Sequence, residues 1–280
     1  ALARIFETSI TTVQRALADL EADAYVSTVP RVGYFVSASG QVKPANGFDF
    51  SSVTVNVNHA VVAMLSQAAS RTTASLNSAV LHSDLTPNVL LNKCLSVLAG
   101  KTDNSLTGLV APPGLPALRR RIAGLMLTRG VVCGPDDILV TSGDTIALEL
   151  ALEAVAPRGA TVAIETPTYY GILQTIERLG MRALPIRTHG KLGLDVDHLE
   201  EALKLKKVAV IFLNPTLQNP RGFIMPDETR ARLSQIARDA DVPIIEDDIF
   251  FDLVPEDERP RAIKSYDSSG QTIYCSSFSK

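Results

Sequence analysis

The segment TIYCSSFSK, residues 272–280, joins a short apolar stretch to a serine-rich turn that carries a single lysine, Lys280. Similar apolar stretches precede it along the chain, and helical spacing of apolar residues fills the intervals between them. Apolar strands that alternate with helices indicate an α/β fold whose mostly parallel sheet is covered on both faces. The strands are predicted at 137–141, 161–165, 182–186, 208–213, 242–247 and 272–277, and the helices at 58–69, 88–99, 115–129, 145–155, 169–179, 196–204 and 227–240.

Polar sequences follow these strands directly. In open parallel sheets, ligands bind at the carboxyl ends of the strands, so these sequences are the candidates for a functional site. Each is weak alone, because a terminal lysine is usually exposed, an acidic turn is usually solvated and a tyrosine pair is usually packing. Their occurrence together, each at a strand end, favours one shared site. They are SGDT (142–145), ETPTYY (165–170), NPTLQNPRG (214–222), EDDIF (246–250) and SSFSK (276–280).

Composition limits the class of protein. The 280 residues are 46% hydrophobic and 20% charged with a net charge of −3, which predicts a folded core and argues against a basic nucleic-acid coat. A small DNA-binding module remains compatible with that charge. Three scattered cysteines predict reduced thiols in a cytoplasmic protein, and the four histidines lack metal-ligand spacing, so no metal site is expected. No apolar run is long enough for a membrane helix, and the first residues do not have the features of a signal peptide.

The first 57 residues differ in pattern from the rest of the chain. Apolar residues at helical spacing predict a helix from about Ser9 to Ala22, and alternation around Pro30–Gly33 predicts a short hairpin. A helix followed by a hairpin is typical of the second half of a winged helix-turn-helix. The domain prediction is a partial winged helix at 1–37, a linker rich in Gly, Pro and Ser at 38–57, and a second domain at 58–280.

The strand-end loops resemble those of fold-type I aminotransferases, over about residues 75–280 and in the same order. The resemblance implies pyridoxal 5′-phosphate, which needs a Schiff-base lysine, an acid at the pyridine nitrogen, a donor near the 3′-oxygen, an aromatic over the ring and a phosphate cup. Lys280 is then the catalytic lysine and Asp247 the acid. The remaining cofactor-binding residues implied are Ser142, Gly143, Asp144, Tyr169, Asn219 and Ser277.

The first 40 residues resemble the second half of the GntR-type winged helix. A DNA-binding domain of this type joined to a fold-type I domain is the arrangement of the MocR-like regulators. By this resemblance the chain is identified as a member of that family. The resemblance implies an operator DNA, an amino acid or amine effector, and a homodimer as partners. This stretch holds three arginines against four acidic residues, which is hardly a basic footprint. The DNA-binding residues implied are Ser9, Thr11, Thr12, Gln14, Arg15, Arg31 and Gly33.

Several positions depart from the aminotransferase pattern. Phe250 stands where relatives have a tyrosine that donates to the 3′-oxygen, and phenylalanine has no donor. Asp144 stands where a small or hydroxyl residue meets the phosphate, and Leu109 where many relatives have a tyrosine. The sequence also stops at Lys280 and has no initiator methionine, so we expect a fragment cut at both ends.

Three functions stay open at this stage. The first is a transcription regulator that binds pyridoxal phosphate and senses an amino compound, for which catalysis is unnecessary. The second is an active aminotransferase, in which Lys280 moves the Cα proton of an amino acid. The third is a degenerate fold kept for dimerisation. Whether the protein is an enzyme is therefore left undecided by the sequence.

Overall fold

A computed structural model describes residues 2–22, 25–30, 32–36, 50–68, 79, 81–100, 108–205 and 207–280. The chain divides into two compact units, residues 1–49 and residues 50–280. No helix within the described ranges is both long and apolar enough to cross a membrane.

The first unit contains the helix and the hairpin that the sequence predicts. Helices α1 (Leu2–Ile5) and α2 (Ile10–Ala22) precede an antiparallel pair, β1 (Val26–Val29) and β2 (Gly33–Val36). The Ser9 hydroxyl accepts a hydrogen bond from the backbone N–H of Thr12 at 3.0 Å, which caps the start of α2. Arg31 lies outside the described residues. Assignment of this unit to a winged helix stays a prediction.

The second unit is built on one mixed sheet. Its spatial order is β3-β5-β4-β7-β8-β9, with the short β6 paired to β5. All neighbours from β5 to β9 in that order are parallel, while β3 pairs antiparallel with β5 at one edge. The strands are β3 (Val53–Thr54), β4 (Thr161–Thr166), β5 (Arg182–His189), β6 (Gly193–Leu194), β7 (Val210–Leu213), β8 (Ile244–Asp247) and β9 (Thr272–Cys275).

The helices of the second unit agree with the predicted positions to within three residues at each end, with a 3₁₀ turn at Leu127–Arg129 completing the predicted 115–129 segment. They are α3 (Asn58–Ala68), α4 (Asn88–Ala99), α5 (Pro116–Met126), α6 (Asp144–Val155), α7 (Tyr170–Arg178), α8 (Val196–Lys204) and α9 (Asp227–Asp239). These positions confirm the α/β reading of the sequence.

Alternate residues of the central strands face opposite layers of core. In β4, Val162 and Ile164 pack with α6 and α7, whereas Ala163 between them packs with α8 and α9. Strand β7 is buried along its whole length for the same reason. The unbroken apolar runs of the sequence therefore reflect burial on both faces, as expected for parallel strands.

The predicted strand at 137–141 is wrong. Pro135–Asp137 forms a 3₁₀ turn, closed by the N–H of Gly134 donating to the Asp137 carboxylate at 2.8 Å, and 138–141 form no strand ladder with the described residues. A groove of about 660 Å³ separates this segment from β9. The apolar pattern alone did not decide the conformation, because a strand also needs a neighbour for its N–H and C=O groups, and Leu139 is exposed here.

Residues 50–57, which the sequence places in the linker, lie with the second unit. Val53 and Thr54 form β3 and pair with Ala183 and Arg182 of β5. The side chain of Arg182 adds hydrogen bonds to the hydroxyls of Ser52 and Thr54 at 2.8 and 3.1 Å. The rest of the predicted linker, 38–49, lies outside the described residues.

The fully buried side chain of Arg230 in α9 forms hydrogen bonds with the loops that contain Pro215, Met225 and Arg261. Its guanidinium donates to the carbonyl oxygens of Pro215, Met225 and Arg261 at 2.8–3.2 Å and lies 3.8 Å from the carboxylate of Glu246. A buried cation is tolerated only when its donors are occupied in this way.

Replacing Arg230 by Met should lower the free energy of unfolding by about 3–5 kcal/mol, because Glu246 and the carbonyl oxygens lose their partner inside the core. Arg232→Met is a matched control on the same helix, since the half-exposed Arg232 pairs with Asp197 and Glu200 at the surface. The control should cost less than about 1 kcal/mol. Urea unfolding measures both, and equal losses for the two variants would contradict the role assigned to Arg230.

Candidate active site

The candidate site lies where the parallel strands end. Since β4, β7, β8 and β9 run in the same direction, the residues after each strand emerge at one edge of the sheet. Asp247 is the last residue of β8 and pairs in register with Cys275, the last residue of β9. This register brings the turn that carries Lys280 alongside Asp247.

The side chain of Asn214 joins two of these loops. Its Nδ2 donates to the backbone oxygen of Asp247 at 2.6 Å, and its Oδ1 accepts from the backbone N–H of Asn219 at 2.9 Å. Asn214 is almost fully buried. The predicted cofactor residue Asn219 is therefore held to the end of β8 through Asn214, which the sequence reading did not single out although it begins the same NP motif.

The lysine turn is fastened to β8 by two hydrogen bonds. The backbone N–H of Asp248 donates to the carbonyl of Cys275 at 2.9 Å, and the Ser276 hydroxyl donates to the carbonyl of Asp248 at 3.1 Å. Lys280 donates to the carbonyl of Ala79, and its Nζ lies 5.7 Å from the ring centre of Phe250. The amine of Lys280 is thus placed beside the loop that follows Asp247.

Tyr169 precedes α7 at the same edge. Its ring lies 4.8 Å from that of Tyr170, and it rests over Gly171, where an added Cβ would stand 2.3 Å from a Tyr169 ring carbon. Glycine at 171 is therefore what lets the ring adopt this position. Burial, then the neighbouring phenol of Tyr170, raises the pKa of Tyr169 to about 12, so its hydroxyl keeps its proton at neutral pH.

The start of α6 forms the remaining side of the site. Gly143 has a φ of 130°, a conformation that favours glycine, and no described atom lies within 4 Å of where a Cβ would stand. No side chain within the described ranges caps this helix start. The first N–H groups of a helix lack intrahelical acceptors, which suits an anionic group at this end of α6. Ser142 is exposed beside it.

Two carboxyl groups meet at this edge. Asp144 is the first residue of α6, and its side chain forms a hydrogen bond with the carboxyl of Asp247. Burial raises the pKa of Asp144 to about 6 and, together with the charge of Asp144, holds the pKa of Asp247 well above its usual range. The pair therefore holds a proton in neutral solution, because two adjacent buried carboxylates cannot both ionise freely.

Glu165 contacts the site through a buried hydrogen bond to Asn214. It is fully buried at the end of β4, where its Oε2 accepts from the backbone N–H of Asn214 at 2.9 Å and its Oε1 finds no hydrogen-bond partner among the described residues. Burial raises the pKa of Glu165 to about 8. A neutral Glu165 therefore positions Asn214, and through it Asn219. The sequence reading missed this residue because a glutamate at a strand end carries no local mark of burial.

A second supporting chain was also missed. Arg129 donates through Nε to the hydroxyl of Tyr274 at 2.8 Å, and that hydroxyl donates to Asp248 at 2.9 Å. Arg129 also pairs with Asp252 at 2.8 Å. These contacts fix the residue next to Asp247, and they join parts of the chain whose sequences show no relation to one another.

The predicted site residues are partly brought together. Asp144, Tyr169 and Asp247 act on one another electrostatically, and Asn219 and Lys280 occupy the adjoining loops. Ser277 is engaged locally, since its hydroxyl accepts from the N–H of Ser279 at 3.2 Å. Leu109 is fully exposed. The predicted DNA-contacting residues belong to the other unit, where the described side chains Ser9, Thr11, Thr12, Gln14 and Arg15 are exposed and Gly33 has a φ of 140°.

The donor set fits pyridoxal phosphate. A buried carboxyl faces the site, an open helix start offers N–H groups to an anion, an aromatic ring borders it and a primary amine lies on the adjoining loop. With the parallel sheet, these features define the class as a fold-type I, pyridoxal phosphate-dependent large domain.

Comparison with known proteins gives the family. Residues 46–280 match aminotransferase class I and II, and the chain belongs to this family, whose cofactor is pyridoxal phosphate. Among solved structures, a kynurenine aminotransferase of Pyrococcus horikoshii is 28% identical, with a TM-score of 0.73 over 79% of this chain and 56% of that one. An archaeal alanine:glyoxylate aminotransferase is 29% identical, with a TM-score of 0.70 over 81% of this chain and 58% of that one.

Curated relatives agree with the predicted MocR-like group. The uncharacterized HTH-type transcriptional regulator YjiR of Escherichia coli (strain K12) is 35% identical over 275 residues, which cover 97% of this chain and 58% of the relative. The regulator YdcR of the same organism is 33% identical over the same shares. The chain thus spans a little over half the length of these relatives.

Replacing Glu165 by Gln should make stability less sensitive to pH. A carboxyl whose pKa is raised in the folded state contributes stability below its unfolded pKa and loses it as pH rises through the folded value of about 8. The wild-type protein should therefore lose about 2–4 kcal/mol more than Glu165→Gln between pH 5 and pH 9. Urea unfolding at both pH values gives this difference.

Glu246 and Asp247 contribute a slope of the same sign, but they are present in both proteins and cancel in the comparison. The exposed Glu153→Gln is the control and should leave the slope unchanged. Parallel pH profiles for wild type and Glu165→Gln would show that Glu165 is charged in the folded protein.

Proposed function

We propose that this protein is a DNA-binding transcription regulator whose aminotransferase-like unit binds pyridoxal phosphate and senses an amino acid or amine. The observation that carries the proposal is the extent of the similarities. Regulators named HTH-type match 97% of the chain, which includes the first unit, whereas the aminotransferase structures match 79–81%.

The residues of the second unit suit a ligand-sensing role. Lys280 provides the amine that would attach the cofactor, and Asp247 holds a proton beside Asp144 that it would share with the pyridine nitrogen. When bound, pyridoxal phosphate supplies an electron sink and a carbonyl that reacts with amines. Tyr169 borders the ring site and excludes water from it. A ligand regulates such a protein by binding one of two conformations more tightly, and turnover is not required.

An active aminotransferase is the second candidate. The presence of Lys280, Asp247, Asn219 and Tyr169 at one sheet edge favours it. The buried Phe250 weighs against it, because its ring cannot donate to the 3′-oxygen. Conversion of bound pyridoxal phosphate to pyridoxamine phosphate in a single turnover, tested with a panel of amino acids, separates an enzyme from a sensor.

The role of Lys280 is tested by absorbance. The purified full-length protein should develop a visible or near-ultraviolet band with pyridoxal phosphate, and Lys280→Ala and Lys280→Arg should both lack it because neither offers a free amine. The exposed Lys191→Ala is the control and should keep the band. A band that survives in both Lys280 variants would remove this lysine from the site.

DNA binding is tested on the first unit. Arg15→Ala should weaken binding of the full-length protein to its own upstream DNA by about tenfold or more at fixed salt, because an arginine on a recognition helix contacts a base edge or a phosphate. Arg120→Ala, an exposed arginine of the second unit, is the control and should bind as wild type. Gel retardation measures both. No retardation by the wild-type protein, with or without pyridoxal phosphate, would overturn the regulator proposal.

A further inference from the structure

Asp144 is unusual among the residues that surround the site. It opens α6, directly after Gly143 and the open space where a phosphate would meet the helix N–H groups. The resemblance to fold-type I aminotransferases implies a small or hydroxyl residue at this position. A carboxylate at that point repels a phosphate, because both groups are negatively charged. Both would also be stabilised by the same positive end of the helix dipole.

The structure keeps this carboxyl inside the site. Asp144 is 9% exposed, and its Oδ1 has no hydrogen-bond partner within the described part of the chain. Its contact with Asp247 joins the helix start, where a phosphate group would bind, to the acid that would serve the pyridine nitrogen. Ionisation of either carboxyl therefore changes the electrostatic potential both where the phosphate would bind and where the pyridine nitrogen would lie.

We propose that Asp144 makes the binding of pyridoxal phosphate depend on proton uptake, so that the site opposes the doubly charged phosphate group until the Asp144 carboxyl is protonated. The proton comes from solvent and resides on Asp144, whose Oδ1 is then free to accept or donate a hydrogen bond to the ligand. This inference rests on the proposed cofactor binding and adds a control of that binding.

The cations of this region lie on other elements: Lys280 on the loop after β9, and Arg129 and Lys264 along the groove that Gly143 also lines. The groups coupled most strongly to Asp144 and Asp247 are neutral or, when ionised, negative, so a phosphate at the start of α6 adds negative charge beside carboxyl groups. These groups are Tyr169 before α7, Cys275 at the end of β9, and Glu246 and Asp248 in and after β8. Burial raises the pKa of Asp144 to about 6, which places the transition between pH 5.5 and pH 8.

The test compares wild type with Asp144→Asn and Asp144→Ser in the full-length protein, with dissociation constants for pyridoxal phosphate measured by absorbance or fluorescence titration. At pH 8 both variants should bind about tenfold more tightly or better, since a buried negative charge near the phosphate is removed. At pH 5.5 the advantage should shrink to about twofold or less. The phosphate also titrates near this range, but it does so in all three proteins and cancels in the ratio.

Pyridoxal, which lacks the phosphate, is the discriminating probe. The variants should give no gain in pyridoxal affinity at either pH, because the opposed group is absent. Asp136→Asn, an exposed carboxylate that pairs with Arg119, is the matched control and should bind both compounds as wild type. Thermal unfolding verifies that each variant folds.

Each result decides the matter. Equal affinities of wild type and variants for pyridoxal phosphate at pH 8, or an equal gain for pyridoxal, overturn the role of Asp144 while leaving the proposed cofactor binding intact. Failure of wild type and variants to bind either compound at any pH overturns the proposed cofactor binding, and the inference with it. Binding of pyridoxal phosphate by the variants alone supports the inference in its strongest form.

Discussion

The structure depends on the burial of three consecutive acidic residues at the end of β8. Glu246, Asp247 and Asp248 are all less than 4% exposed, and each is accommodated by a different part of the fold. Glu246 accepts from the backbone N–H groups of Ile263 and Lys264 at 2.8 and 3.0 Å. Asp248 accepts from Tyr274, and Asp247 is left facing the site. Because an unpaired buried carboxylate is costly, the surrounding loops must take the positions that satisfy the first and the third.

This arrangement explains why supporting residues come from distant segments. Arg230 reaches toward Glu246 from α9, and Arg129 reaches Tyr274 from the turn after α5. Their packing fixes the end of β8, and Asn214 transmits that position to the loop of Asn219. Asp247 therefore keeps a fixed place while remaining protonated beside Asp144, which links the stability of the sheet edge to the chemistry proposed for the site.

Much of this fold could be predicted from the sequence, and the exceptions have a common cause. The strands of the core were predicted because burial on both faces requires unbroken apolar runs, as in VIFL of β7. The segment 138–141, ILVT, is similarly apolar but has no ladder partner among the described residues, which composition does not report. In the site, Asp247 and Lys280 were predicted from the resemblance of the strand-end loops to those of fold-type I aminotransferases. Glu165 and Arg129 were missed because their roles come only from contacts across the sheet.

The sequence by itself determined the α/β class, the order of the strand-end loops and the residue types that suit pyridoxal phosphate, because these depend on local pattern and side-chain chemistry. Only the tertiary structure decided that Asp144 meets Asp247, that Glu165 is neutral and that Asn214 joins two loops. Those properties depend on burial and on contacts between residues that are far apart in the chain. The sequence does not show whether a given Asp or Glu is solvated and charged or buried and protonated.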